Sequence, residues 1–190
     1  CVLPAVVSPD IHARVDVGTR ALGASAFGWG MTVLVWSESG LTERAYHRKP
    51  DSATYRALPH SGRPVNLPPG HETATIAGHA RGNMVTAVVA GEVLAVYPPF
   101  RPTVLASGLS ADDISAVATF PPPTGPFPPE NTRAGVFWSD QNAQMLGFRW
   151  RAGTDPQQEW RPLEVVAQGG HVADDHINIA AAADGTLYVV

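Results

Sequence analysis

The amino-acid sequence predicts an all-β protein, because its apolar segments are short, rich in β-branched residues and bounded by turn residues. The chain has 18 glycines and 18 prolines in 190 residues, and that proline content is nearly double the ~5% of an average protein. Proline breaks helix interiors, and both residue types are typical of turns. No segment keeps a helical apolar period over the length that a helix needs. The composition therefore argues against a helical bundle.

An internal repeat with a spacing of about one hundred residues is the second observation. Residues 32–49 (TVLVWSESGLTERAYHRK) align without a gap on residues 134–151 (AGVFWSDQNAQMLGFRWR). The alignment places Trp36 on Trp138, and because both lie in the middle of a predicted strand we expect both to be packing residues. Self-similarity at a long fixed period is typical of repeat architectures.

The predicted strands follow one another in groups of four. They lie near residues 14–18, 31–37, 43–48, 54–58, 73–77, 83–89, 92–97, 102–106, 113–120, 133–139, 145–151, 162–167, 175–181 and 185–190. Each group spans about 50 residues, which is within the range of β-propeller blades. We therefore expect an incomplete β-propeller of four-stranded antiparallel blades. Its predicted parts are an N-terminal extension at 1–13, blades at about 14–64, 71–108 and 111–168, and an unfinished blade at 172–190.

The distribution of small and bulky residues favours this prediction over the alternative, a Greek-key sandwich with the same strand content. The first strands of two units, ETATIAG and DISAVATF, consist mainly of small residues, as strands that converge on an axis require. The strands that follow carry the bulky Trp138, Phe148 and Trp150. A sandwich would concentrate bulky residues in its central strands, and it requires no ungapped repeat.

Charge and hydropathy exclude some partners. The net charge is −4 and no Lys/Arg cluster is present, which argues against nucleic acid or an anionic membrane as the partner. No apolar run reaches the roughly 18 residues of a transmembrane helix. We expect instead a protein or carbohydrate ligand.

The N-terminal residue Cys1, the only cysteine, has two interpretations. It is the lipid-modified first residue of a mature bacterial lipoprotein, or it is the point at which a longer chain was cut. The final apolar segment, LYVV, favours the second interpretation, because it ends without a turn residue. On that interpretation the remaining blades belong to the longer chain, and this segment alone is expected to self-associate. Both interpretations are consistent with an extracellular or cell-envelope location.

Three sequence runs carry a resemblance to known proteins. GVFWSDQ, FRWR and ADDHINIAAAADGTLYVV resemble strings in a family of uncharacterised bacterial propeller-like repeat proteins. The resemblance is good over 111–190, weaker over 31–110 and absent over 1–30, and it implies a propeller but no activity. The chain is also loosely similar to sialidase-type propellers with Asp-box (BNR-like) turns of pattern S-x-D-x-G-x-T-W. Ser139-Asp140-Gln141-Asn142 departs from that pattern, because it lacks the glycine and tryptophan spacing.

Acidic residues mark one predicted face. In an antiparallel blade the start of the first strand and the end of the second lie on the same side of the sheet. In a propeller, residues at these points would surround the mouth of the central channel. The ligand-binding candidates are Glu38, His71, Glu72, Asp112, Asp113, Asp140, Asp174, Asp175 and His176. In the repeat alignment His176 takes the place of Asp113.

Two explanations fit these acidic residues. Converging carboxylates could hold a hard cation, of which Ca²⁺ is the best candidate, or a hydroxyl-rich ligand such as a glycan. The candidates for the metal ligands are Asp112, Asp113, Asp174 and Asp175. The alternative is that each Asp caps a turn by accepting hydrogen bonds from nearby backbone N–H groups, which would also recur in every blade.

Two functional classes follow from these features. The sequence has no G-x-S-x-G, H-E-x-x-H, C-x-x-C or phosphate-binding glycine motif. We therefore expect a non-catalytic propeller module of a secreted or cell-surface protein that binds protein or glycan through its loop face. The alternative is a glycan-active hydrolase or lyase with acidic residues at the channel mouth as acid and base. A carboxylate with a raised pKa beside a partner would favour the enzyme, and exposed aromatic side chains would favour the binding module.

Overall fold

The structure is a computed structural model that describes residues 17–21, 29–37, 40–48, 56–59, 62–68, 74–79, 82–97, 100–120, 132–156, 158–174 and 176–190. Its regular elements are all β-strands, and these ranges contain no helix, so the all-β prediction is confirmed. Accordingly, the described part of the chain has no helix that could cross a bilayer.

The strands form four antiparallel sheets, which we number in chain order. Sheet 1 contains β1 (Val17–Ala21), β2 (Trp29–Ser37), β3 (Gly40–Arg48), β4 (Arg56–Ala57) and β5 (Arg63–Pro64). Sheet 2 contains β6 (Ala74–His79), β7 (Gly82–Val89), β8 (Glu92–Val96) and β9 (Thr103–Ser107). Sheet 3 contains β10 (Ser115–Phe120), β11 (Arg133–Asp140), β12 (Met145–Ala152) and β13 (Glu164–Gln168). Sheet 4 contains β14 (Ile179–Ala181) and β15 (Leu187–Val189).

Sheets 2 and 3 confirm the prediction of four-stranded antiparallel sheets, since each is built from strands paired in chain order. In sheet 1, β3 pairs with both β4 and β5. No sheet closes into a ring in the described residues. The propeller therefore stays a prediction.

Both faces of sheet 2 are buried. Along β7, Met84 and Val88 pack in one cluster with residues of sheet 3, whereas Val85 and Ala87 pack in another with residues of sheet 1. Successive strand residues point to opposite faces, so neighbouring residues serve different interfaces. A strand between two such interfaces is apolar on both sides, and for this reason the sequence of β7 does not alternate.

The first strands of successive sheets lie next to one another: β1 contacts β6, β6 contacts β10, and β10 contacts β14. Between β6 and β10 the backbone N–H of Val117 donates to the Thr75 hydroxyl oxygen at 3.0 Å. The Ser115 hydroxyl lies 3.1 Å from that of Thr86 on β7. Small side chains allow this approach, and their hydroxyls satisfy backbone groups that a larger apolar residue would leave without a partner.

Trp138 on β11 is fully buried and pairs across the sheet with Gly147 on β12. A Cβ atom at Gly147 would lie 2.5 Å from Trp138 Cζ2, so the indole ring occupies the space that a side chain would need. Trp138 is therefore a packing residue, as predicted. The side chain of Trp36, its counterpart in the repeat, lies outside the described residues.

We expect Gly147→Ala to lower the free energy of unfolding by about 1–3 kcal/mol, because the new methyl group collides with a rigid buried ring. Chemical denaturation followed by tryptophan fluorescence measures the effect. The control is Gly62→Ala, where the new Cβ would lie 3.6 Å from Thr42 Cγ2, an ordinary contact distance. Equal losses in the two variants would contradict the proposed contact.

Candidate functional site

The turns around Asp113 form a continuous surface at one end of sheets 2 and 3. The backbone N–H of Leu109 donates to the Gly91 carbonyl at 3.1 Å, and Asn142 Nδ2 donates to the Gly108 carbonyl at 2.9 Å. These bonds join the turn after β7 and the turn after β11 to the segment between β9 and β10. We call this surface, made of residues 90–91, 108–114 and 141–144, the Asp113 face.

Asp113 lies at the centre of this face and is 2% exposed. Its Oδ2 accepts a hydrogen bond from the backbone N–H of Ser110 at 2.7 Å. Its Oδ1 accepts from Ser139 Oγ at 3.2 Å and from the backbone N–H of Gln141 at 3.1 Å. One carboxylate therefore caps its own turn and fixes the end of β11 beside the start of β10.

Burial raises the pKa of Asp113 above its usual value of 3.8, because the charged form loses hydration. Hydrogen bonds from Ser110, Gln141 and Ser139 oppose this rise, since they stabilise the carboxylate. Repulsion from the nearby carboxylate of Asp140 raises the pKa of Asp113 further. Desolvation is the dominant cause.

Each of the two neighbouring carboxylates also accepts a hydrogen bond within a turn. Asp140 is 6% exposed, and its Oδ1 accepts from the backbone N–H of Ala143 at 2.8 Å, which closes the turn between β11 and β12. Asp112 is exposed and accepts a hydrogen bond from the Ser110 hydroxyl, which lowers the pKa of the Asp112 carboxyl. The structure thus brings Asp112, Asp113 and Asp140 to one face, as strand direction predicted. Asp113 and Asp140 accept from backbone N–H groups as turn caps do, whereas Asp112 accepts from a side-chain hydroxyl.

Asp174 and His176 lie before β14 and are largely exposed. His176 Nδ1 is 3.8 Å from Asp174 Oδ1. In sheet 4 Ile179 packs towards sheet 3, just as Val117 in sheet 3 packs towards sheet 2. Ile177 packs in the same cluster as Ile179. The alignment of His176 with Asp113 stays a prediction.

The remaining candidates, Glu38, His71, Glu72 and Asp175, lie outside the described residues. Among the residues that are described, no group of three or more His, Cys, Asp or Glu side chains is arranged to hold a metal ion. Ca²⁺ binding by Asp112, Asp113, Asp174 and Asp175 stays a prediction.

Arg151, which the sequence did not indicate as a candidate, is a fully buried charged residue at the interface of sheets 2 and 3. Its guanidinium carbon lies 5.2 Å from the centre of the Tyr97 ring, and its Nη2 donates to the Asp155 carbonyl. A cation over an aromatic ring is favourable, most of all where water is excluded. The repeat aligned Arg151 with Lys49, and that shared positive charge was the available signal.

Trp150 forms a second cluster that the sequence did not predict. The guanidinium carbons of Arg133 and Arg161 lie 4.8 and 5.2 Å from the centre of the indole. Trp150 Nε1 donates to Glu164 Oε1 at 3.1 Å, and Arg161 forms an ion pair with Asp155 at 3.1 Å. These residues connect β11, β12 and β13 at the end of sheet 3 where β11 and β13 begin.

Comparison with known proteins gives no relative. No protein-family model matches the chain, and neither the curated proteins nor the solved structures contain a significant match.

Removal of the Asp113 carboxylate should destabilise the fold. In Asp113→Ala the backbone N–H groups of Ser110 and Gln141 lose their acceptor, and we expect a loss of about 1–3 kcal/mol in the free energy of unfolding. Urea denaturation measures it. The control, Asp112→Ala, removes an exposed carboxylate and should change the midpoint little. A larger effect at Asp112 than at Asp113 would show that the cap has been assigned to the wrong residue.

The raised pKa of Asp113 gives a pH dependence of stability. The folded protein binds this proton more tightly than the unfolded chain, so stability falls as pH rises from 3.8 through the folded pKa. We compare the wild type with Asp113→Asn, which cannot titrate there. The free energy of unfolding of the wild type, relative to the variant, should be greater at about pH 4 than at about pH 7. A difference that grows towards neutral pH would mean that hydrogen bonding outweighs desolvation.

Proposed function

We propose that this chain is a non-catalytic interaction module of a secreted or cell-surface protein, in which the sheets are blades of a β-propeller. The module binds protein or glycan through the Asp113 face. The observation that carries the proposal is the succession of first strands, β1, β6, β10 and β14, each in contact with the next. Strands arranged in this way bring the turns of separate sheets to one side, which makes a composite binding surface.

The exposed polar groups of the Asp113 face suit hydrogen bonding to a ligand. Asp112 and Asn142 are exposed, and both belong to turns that the buried Asp113 carboxylate holds in position. A ligand would therefore meet a pre-ordered set of acceptors and donors, and preorganisation reduces the entropy lost on binding.

A glycan hydrolase or lyase is the second candidate, and one observation favours it. Asp113 has a raised pKa and lies near a second carboxylate, Asp140, which is a combination typical of acid–base sites. Its burial argues against this function. Both Asp113 oxygens already accept hydrogen bonds from the protein, and the group is 2% exposed, so a substrate oxygen has little access to it.

An array of immobilised glycans tests the binding function. We expect the wild type to bind a subset of glycans and the double variant Asp112→Ala/Asn142→Ala to lose about tenfold or more in affinity, because both side chains would contact the ligand. Phe100→Ala is the control, since Phe100 is 56% exposed and lies between β8 and β9, at the other end of the sheet.

Two outcomes would contradict the proposal. Equal losses in the double variant and in Phe100→Ala would show that the Asp113 face is not the binding surface. Release of reducing ends from a bound glycan, abolished by Asp113→Asn in a variant that is still folded, would establish the enzyme instead.

A further inference from the structure

One face of sheet 3 carries buried N–H groups that have no acceptor among the described residues. Trp138 is fully buried, and its Nε1 atom has no hydrogen-bond partner. The same holds for Nε1 of Trp160 and Nε of Arg149, which are both shielded from solvent. A buried donor without an acceptor is costly, because it has given up its hydrogen bond to water. We call Trp138, Arg149 and Trp160 the donor cluster.

Strand pairing places the donor cluster on the face of sheet 3 that packs against sheet 2. Trp138 pairs with Gly147 on β12, and its Nε1 would lie 2.7 Å from a Cβ atom at Gly147. Arg149 is the next residue along that face of β12, because side chains alternate between the two faces of a strand. Trp160 packs against the apolar cluster that contains Trp138, and the residue after Trp160 donates its backbone N–H to a β12 carbonyl at 2.8 Å. The three donors therefore lie along one short part of β12.

This face of sheet 3 also carries positive charge. Arg151 follows Arg149 two residues later, and it is fully buried over the ring of Tyr97. Arg149 forms no ion pair with a described residue. Asp140 is on the same face of β11, but it lies at the end of the strand and accepts a hydrogen bond from Ala143. Two guanidinium groups this close together repel each other, and a negative charge beside them would relieve the repulsion.

An anion satisfies the donor cluster better than a water molecule does. A buried water needs acceptors for its own hydrogens as well as donors for its oxygen. No buried side-chain oxygen in the described part of the chain is without a hydrogen-bond partner. An anion accepts from every donor and needs no acceptor. Because Trp138 is fully buried and packed on Gly147, the site suits a monatomic anion.

We propose that the donor cluster binds a halide ion, with chloride as the natural occupant. Trp138 and Trp160 donate their indole N–H groups to the ion, and Arg149 donates its Nε–H group and supplies the compensating charge. The ion connects β11, β12 and the segment before β13 at the interface with sheet 2. It thereby stabilises the packing of the two sheets, which is a role separate from ligand binding at the Asp113 face.

Thermal unfolding of the 190-residue chain at constant ionic strength tests the proposal. Sodium chloride replaces sodium gluconate stepwise, since gluconate is too large for a buried monatomic site. An ion that binds only the folded chain raises the Tm as its concentration rises. We expect the Tm to rise by about 3 °C or more once chloride exceeds its Kd about tenfold.

Variants locate the effect. Trp138→Phe and Trp160→Phe each remove one N–H donor and keep an aromatic ring, so each should reduce the chloride-dependent rise in Tm. The matched control is Trp150→Phe, because the Trp150 N–H already has a carboxylate acceptor. Arg149→Gln should also reduce the rise, whereas Arg133→Gln, which alters the opposite face of sheet 3, should not. The readout is the difference in Tm between the two salts, so a variant of lower overall stability still reports on the site.

Bromide gives a second readout that needs no variant. A heavy halide quenches indole fluorescence on contact, so bromide bound at Trp138 should quench part of the emission in a saturable way, and chloride should compete with it. The proposal is overturned if chloride and gluconate give the same Tm, because water alone then meets the donors. It is also overturned if Trp150→Phe loses the chloride dependence as fully as Trp138→Phe, or if chloride does not compete with bromide.

Discussion

Strands β6 and β10 approach each other closely enough for the hydroxyl of Thr75 to accept a hydrogen bond from the backbone N–H of Val117. Two strands of different sheets can meet in this way only where the intervening side chains are small. Away from this contact, the space between sheets 2 and 3 holds the larger side chains of Trp138, Tyr97 and Trp160. Small residues thus lie where the first strands meet, and large ones fill the space between the other parts of the two sheets.

Sequence patterns predicted the strands well where a run is short and bounded. β10 is buried at all six positions. Its run of apolar and small residues between polar turns predicted a strand, although polar and apolar residues do not alternate along it. The pattern was less accurate at the ends of the chain. Residues 175–181 were predicted as a strand, but β14 begins at Ile179, because the preceding residues form the segment that carries Asp174 and His176. β5 was missed, since it has two residues and one is proline.

The candidate site was predictable in position but not in chemistry. Strand direction was enough to place Asp113 beside Ser139 and Asp140. Strand direction could not show that the backbone N–H of Gln141, 28 residues away, donates a hydrogen bond to the Asp113 carboxylate, because that contact depends on the conformation of a turn. The burial of Arg151 was not predicted for a similar reason. Its burial depends on Tyr97 in another sheet, and no local pattern distinguishes it from an arginine at a solvated strand end.

The pairing of Trp138 with Gly147 has a consequence for how such units diverge. Sheets 2 and 3 each have a β-bulge where their third and fourth strands pair, and counted from that bulge the corresponding pair in sheet 2 is Ala87 with Leu94. One sheet fills the space with a large ring over a glycine, and the other fills it with two residues of modest size. The two units therefore differ in sequence at both positions while the strand pairing stays the same, so such units are better compared by cross-strand pairs than by single positions.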